Sequence, residues 1–349
     1  MEKPISFHSS AGPITKVLDC FFLLRIPLLA PVWTILLLGW ITGPTISPLG
    51  GGLAAPAASC FDGSLLKLWI ALASFSLVVA SIYVVNQIAD IESDRINHKL
   101  FILPHGLVSV RTAWGLSAAC AILGLAGACF FDLTMVALFA ASLLLGALYD
   151  LPPASLKNHA LGGLVANFLG HGMITFLVGW HAASAVIGNP LHLVDRGVGN
   201  LYELAQAIVP SLSAGFGNAA VYITTTIPDA AGDIATGKKT FCVKYGQKNT
   251  ALWASIMCAG ALLCAFSMRH NTWVMVLQAA ISLIFFARLV VATDATKAFQ
   301  AFKWPVFLLS VLVTLFVPMY GAVILATFFG SKLYYRRRFH IDYPTFKAQ

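Results

Sequence analysis

The chain has 349 residues, 58% of them hydrophobic and only 10% charged, with a formal net charge of +8. Ordinary soluble domains are about a quarter charged, so this composition excludes a soluble globular protein. The charges cluster between apolar runs of roughly 20 residues, the length of a membrane-spanning helix. The runs are continuous, without the period-two alternation of a barrel. The expectation is an all-α, polytopic membrane protein forming a single domain over 1–349.

In chain order, 1–16 is a polar tail. The first apolar helix is expected over Val17–Ile41, with Arg25-Ile26-Pro27 near its start. It is long and has no small-residue cleavage site, so no cleavable signal is expected. A Gly-, Pro- and Ser-rich stretch, Gly43–Gly63, reads as an external loop. Helix two covers Leu65–Ala89 and is followed by a charged loop, Ile91–Arg111. Helices three (Thr112–Phe131) and four (Leu133–Tyr149) form a tight pair turning at Asp132. The loop Asp150–His159 contains two prolines, which rule out a continuing helix. Helix five spans Ala160–Ala182, and an external loop leads to helix six, Glu203–Ile227. The loop Pro228–Lys248 carries Lys238, Lys239, Lys244 and Lys248. Helices seven (Thr250–Met268), eight (Trp273–Ala292) and nine (Trp304–Phe329) complete the set. The seven cysteines are scattered without CxxC spacing and read as small buried hydrophobes.

Most Lys and Arg fall in the even-to-odd loops, on one side of the membrane. There they mark the cytosolic face and contact lipid head groups rather than nucleic acid. The protein is therefore expected in the cell inner membrane, with no obligate protein partner. Nine crossings put the basic tail with Lys332 and Arg336–Arg338 on the opposite side, a conflict settled here in favour of the early segments. The order of helices, acidic end, basic loop and tight pair occurs twice, over about 17–149 and 160–292.

The end of helix two carries Asn86, Asp90 and Asp94, four residues apart. On a helix that spacing turns each step by only about 40°, so the three share one face. The end of helix six carries Asp229 and Asp233, also four apart. Any single pair fits a solvated loop. Two pairs at equivalent helix ends point to one shared acidic site on the cytosolic side. Carboxylates next to a bilayer are costly and repel each other, so a cation must offset them. Oxygen ligands with an Asn amide suit Mg²⁺, which takes one or two carboxylates and shares substrate phosphates. Lys99, Lys238 and Lys239 lie just past the two motifs, within reach of a diphosphate.

These residues resemble the UbiA-type intramembrane prenyltransferases. The family motif NDxxDxxxD stands here as Asn86-Gln87-Ile88-Ala89-Asp90-Ile91-Glu92-Ser93-Asp94. The second, DxxxD followed by Gly and Thr, stands as Asp229-Ala230-Ala231-Gly232-Asp233, then Gly237 and Thr240. A YxxPxxLK element appears as Tyr149-Asp150-Leu151-Pro152-Pro153-Ala154-Ser155-Leu156-Lys157. The resemblance implies nine helices around a central cavity, open to lipid. It implies two Mg²⁺ ions held by Asn86, Asp90, Asp94, Asp229 and Asp233, and a bound prenyl diphosphate. It implies ionisation to an allylic cation that alkylates a lipophilic acceptor, with Tyr149 and Lys157 near the diphosphate or the reacting carbon.

Two departures stand out. Gln87 replaces the usual Asp, where an amide is still expected to bind metal or water. The usual arginine-rich stretch reads Asn97-His98-Lys99-Leu100-Phe101-Ile102-Leu103-Pro104-His105-Gly106, near the acceptor entrance of relatives. Its apolar Leu100–Leu103 keeps open a terpene cyclase, which needs a closed apolar pocket. A cation-coupled transporter using the acidic pairs as ion sites is the third reading. Arg25 fits equally a diphosphate contact and a cytosolic anchor. His171, between Gly170 and Gly172, reads as a packed core histidine, and the Tyr334–Arg338 run as an interfacial anchor.

Overall fold

The computed structural model describes residues 12–43, 63–96, 102–186 and 201–345. Lys99, Cys60, most of the expected external loop at 43–63 and the stretch 187–200 lie outside the described residues. The expected first helix is two helices, α1 (Pro13–Leu23) and α2 (Ile26–Thr42). They break at Arg25, whose backbone is left-handed (φ 55°, ψ 45°). Pro27 is the cause. It has no N–H to give the Leu23 carbonyl four residues back, and its ring crowds that carbonyl.

Helices α3 (Gly63–Ala89) and α4 (Ile91–Ile96) follow. α5 (Val110–Ala128) is capped by Ser109, which accepts from Thr112 N at 3.0 Å. α6 (Leu133–Asp150) is capped by Asp132, which accepts from Met135 N at 3.0 Å. A 3₁₀ turn, Leu156–Asn158, leads into α7 (Ala160–Asn167), a π turn (Phe168–Ile174) and α8 (Thr175–Val186). α9 (Leu201–Ala235), α10 (Phe241–Tyr245), α11 (Gln247–Ala265) and α12 (Thr272–Val291) come next. α13 (Ala295–Thr314) and α14 (Pro318–Phe339) close the chain. Eight segments among the described residues are long and apolar enough to cross a bilayer. The expected fold class holds.

Helices in lipid gain little from hydrophobic exclusion, so close approach matters. α2 and α8 meet at Gly39 and Gly179, where an added Cβ would strike the backbone of Phe176 or Leu36. Around that contact Leu36, Leu37, Leu38, Phe176 and Val178 are buried. At the end of the bundle away from the acidic motifs, buried His181 of α8 meets Asp132 at 2.8 Å. Burial pushes the Asp132 carboxyl up, but its bonds to His181 and to backbone amides outweigh this and leave it below the usual carboxylate range.

Two expectations are corrected. The sixth helix does not end at Ile227: α9 runs through Pro228 to Ala235 and carries Asp229 and Asp233 on helical backbone. Thr224, Thr225 and Thr226 bond back to carbonyls at positions 220, 222 and 223 just before the proline. The stretch 304–329 is not one helix. The chain turns at 315–317, and Pro318 opens α14.

That turn removes the conflict over the basic tail. α14 starts against α2, where the Tyr320 hydroxyl donates to the Ala30 carbonyl at 3.0 Å. It ends against α1, on the acidic-motif side. There Tyr334 donates to Asp19 at 2.6 Å and Arg338 holds both Asp19 oxygens at 3.2 and 3.1 Å. Phe22 stacks on Tyr334 with ring centres 3.8 Å apart. Asp19 is 1% exposed, so removing its cation leaves a buried charge poorly compensated. Arg338→Ala is expected to cost about 3–5 kcal/mol, read as a lower unfolding temperature in detergent and faster proteolysis near residue 340.

Candidate active site

The acidic face predicted for Asn86, Asp90 and Asp94 forms because helical bonding continues past α3. Asp90 N reaches Asn86 O at 3.0 Å, and Asp94 N reaches Asp90 O at 2.8 Å. Four other segments converge on it. Lys157, from the 3₁₀ turn, bridges Asp90 at 2.8 Å and Asp150 at 3.1 Å. Asn86 Nδ2 donates to Asp150 at 2.6 Å and to Asp90 at 3.3 Å. Lys238, just beyond α9, reaches the other Asp90 oxygen at 3.4 Å. Arg25, at the α1–α2 break, donates to Asn86 Oδ1 at 3.4 Å, and its buried Nε has no hydrogen-bond partner.

The second motif is tied to the first through its loop. Lys239 N donates to the Asn158 carbonyl at 2.9 Å, next to Lys157. The Lys238 N–H caps the Asp233 carbonyl at 2.9 Å, and Thr240 holds the Asp233 carboxylate at 2.7 Å. Asp229 is exposed, and Lys239 is exposed with its backbone, not its ammonium, in the junction. Among the described residues no three Asp, Glu, His or Cys side chains converge on one point. The five expected metal ligands therefore do not form a closed cage. A Mg²⁺ site that leaves most of its coordination to phosphate oxygens and water needs none. Carboxylate and amide oxygens fit such an ion, and the buried Asp150 Oδ2 has no hydrogen-bond partner.

Asp150 was missed by sequence reasoning. Its signal was its place at the end of a helix on the motif side, inside the YxxPxxLK element. Tyr149 lies beside it, near Asn167 of α7 and Tyr222 of α9. A Cβ on Gly163 would strike the Tyr222 hydroxyl, so this glycine opens the space for that contact. Next to it, a partly open cavity is lined by Tyr149, Asn167 and His171 with Phe75, Val79 and Ile82. A second cavity lies among α2, α9, α12 and α13, with Thr34, Asn218 and Gln278 on its wall.

Two expectations at the first motif are overturned. Gln87 is 4% exposed and faces away from the acidic face. Its Nε2 donates to Leu23 O at 2.8 Å and Tyr83 O at 3.0 Å. It supplies the hydrogen bond to Leu23 that Pro27 lacks. Ile102 and Leu103 do not line an apolar reaction pocket. They are buried in a cluster with Phe22, Val84, Tyr334 and Tyr335, under the C-terminal helix.

The chain is thus a helical membrane bundle with acidic and basic groups clustered beside an apolar cavity. The sequence profile of the UbiA prenyltransferase family matches residues 45–312, and the chain belongs to that family. It is 30% identical over 259 residues to the chloroplastic 2-acylphloroglucinol 4-prenyltransferase of Humulus lupulus, covering 67% of this chain and 58% of that protein. It is 25% identical over 201 residues to the digeranylgeranylglyceryl phosphate synthase of Sulfurisphaera tokodaii, covering 58% of this chain and 66% of that one. The chain thus spans a little over half the length of the hop enzyme. The fold matches a UbiA homolog from Archaeoglobus fulgidus solved with DMAPP and Mg²⁺, at TM-score 0.66 and 20% identity over 88% of this chain and 99% of that one.

Gln87→Asp, which restores the family residue, is expected to place a carboxylate against two carbonyl oxygens. It should lower stability by about 1–3 kcal/mol and leave the Mg²⁺ dependence of activity unchanged. Thermal unfolding and a Mg²⁺ titration of turnover check this.

Proposed function

We propose that this protein transfers a prenyl group from a prenyl diphosphate to an aromatic or other lipophilic acceptor within the membrane, using Mg²⁺. The observation that carries the reading is the junction of Arg25, Lys157 and Lys238 with Asn86, Asp90 and Asp150, beside an apolar cavity whose wall includes Tyr149, next to Asp150, and Ile82, one turn before Asn86. An anionic head suits the charged junction and an isoprenoid chain suits the apolar walls. The names of the relatives support the chemistry and differ in acceptor, an acylphloroglucinol in one and a glyceryl phosphate lipid in the other.

In this reading Asn86, Asp90, Asp94, Asp229 and Asp233 hold Mg²⁺. When bound, the metal neutralises the diphosphate oxygens and makes them a better leaving group. Arg25, Lys157 and Lys238 donate N–H groups to the same oxygens, with Lys99 and Lys239 as outer contacts. Lys157 is held between Asp90 and Asp150, so it needs little reorganisation as charge develops. Tyr149, beside Asn167 and Tyr222, lines the cavity where C1 of the chain would react. The apolar walls keep water from the cation.

The cyclase reading loses part of its motive, because Ile102 and Leu103 serve the α1–α14 junction, while Leu100 and Phe101 lie outside the described residues. The test is mass spectrometry of products from purified protein given Mg²⁺, mixed prenyl diphosphates and either a 2-acylphloroglucinol or a native lipid extract. The expected product is a conjugate heavier by the prenyl group, with slow release of prenyl alcohol when acceptor is omitted. Rapid acceptor-free formation of a cyclic hydrocarbon would overturn the assignment. Asp90→Ala and Asp229→Ala should each lower turnover at least about 100-fold while the protein stays folded, and EDTA should do the same to the wild type.

The site is further proposed to face the cytosol of a multi-pass inner-membrane protein. In a background lacking native cysteines, Ser93→Cys and Ala235→Cys should both resist an impermeant thiol reagent in right-side-out vesicles. Labelling of one and not the other would break the shared-site arrangement.

A further inference from the structure

His171 lies on the π turn, where the α-helical ladder is interrupted, and such turns recur at functional sites. It lines the same cavity as Tyr149 and Asn167. Its Nε2 is 3.0 Å from the Tyr83 hydroxyl, and that hydroxyl donates to the Leu28 carbonyl at 3.2 Å. A phenol has one proton, and a carbonyl can only accept it. With the Tyr83 proton on Leu28, the imidazole is the donor in its bond to Tyr83. That arrangement puts the ring proton on Nε2 and a lone pair on Nδ1, which makes no hydrogen bond among the described residues. Tyr83 is three residues before Asn86 on α3, a rise of about 4.5 Å. The imidazole thus sits one helical turn inside the diphosphate mouth, at the depth where C1 of a prenyl chain would meet its acceptor. No Asp or Glu is among the described residues lining the cavity.

We propose that His171 is the catalytic base that takes the proton from the acceptor. This rests on the reading of prenyl transfer to an aromatic ring. The C1–oxygen bond of the prenyl diphosphate breaks and both electrons leave on the diphosphate oxygen. A π pair of the acceptor ring forms the new carbon–carbon bond to C1. The C–H bond at the attacked carbon then returns its electron pair to the ring, and its proton goes to Nδ1. The imidazolium later releases that proton to solvent through the mouth.

The experiment uses the full-length protein in lipid nanodiscs with Mg²⁺, geranyl diphosphate and a 2-acylphloroglucinol, unlabelled or deuterated at the attacked carbon. His171→Gln keeps an N–H for Tyr83 and supplies no base. It should slow adduct formation about 100-fold or more while acceptor-free release of geraniol stays within about two-fold of wild type. Proton removal then limits the rate, so the deuterated acceptor should react several-fold more slowly in the variant and at the normal rate in the wild type. His171→Ala should recover activity with added imidazole. An unchanged rate in His171→Gln, or equal loss of adduct and geraniol without an isotope effect, overturns the proposal and leaves the transferase reading standing. If the wild type makes no adduct, the transferase reading fails for that acceptor. The histidine is then judged by nitrogen-15 NMR of histidine-labelled protein, with His171 assigned by difference from His171→Gln. A neutral ring protonated at Nε2 is expected; a cationic ring, or a proton on Nδ1, refutes it.

Discussion

Lys157 between Asp90 and Asp150 is the interaction on which the mouth of the bundle depends. The lysine and Asp150 are both buried beside the apolar interior. Taking such ions out of water costs several kcal/mol each, and only close pairing with further hydrogen bonds offsets it. Asn86 supplies one of those bonds and Lys238 brings in the segment after α9. The ends of α3 and α6 are thereby locked to one ammonium group, and the loop beyond α9 joins them through Lys238 on Asp90 and the Lys239 N–H on the Asn158 carbonyl. Removing Lys157 leaves buried Asp150 without its cation, so this ammonium holds the segments together.

A second set of contacts frames that centre from the N-terminal and C-terminal ends. Pro27 breaks the first crossing and orphans the Leu23 carbonyl; Gln87 answers it from α3. The same break turns Arg25 toward Asn86. α14 then returns to the motif side and clamps α1 through Asp19, with Ile102 and Leu103 filling the space beneath. Here the C-terminal helix covers apolar residues in the stretch where the family resemblance leads one to expect arginines.

What was legible in the sequence follows from locality. Asn86, Asp90 and Asp94 could be placed on one face because the helix that carries them continues. Lys238 could be placed because it lies just past the second acidic pair, and Lys157 only through the family resemblance. Gln87 could not be read, because its orientation is set by a carbonyl 64 residues earlier. Asp150 was hidden for the same reason, since its partners lie on α3 and beyond the next turn. The ninth helix was drawn too long because Leu315-Phe316-Val317 is apolar, and only the backbone turn before Pro318 divides it. Hydropathy reports burial in lipid or protein; it does not report where a chain reverses.

The π turn at Phe168–Ile174 has a consequence for geometry beyond His171. A π turn accommodates roughly one extra residue in the span of an α turn, so it shifts helical phase by about 100°. On one side of it Asn167 faces the cavity; on the other, Phe176 and Gly179 face α2, and His181 faces Asp132. An unbroken α-helix could not satisfy both directions from this sequence. The turn acts as a phase adjuster, letting one crossing present a chemical face at its start and a packing face at its end.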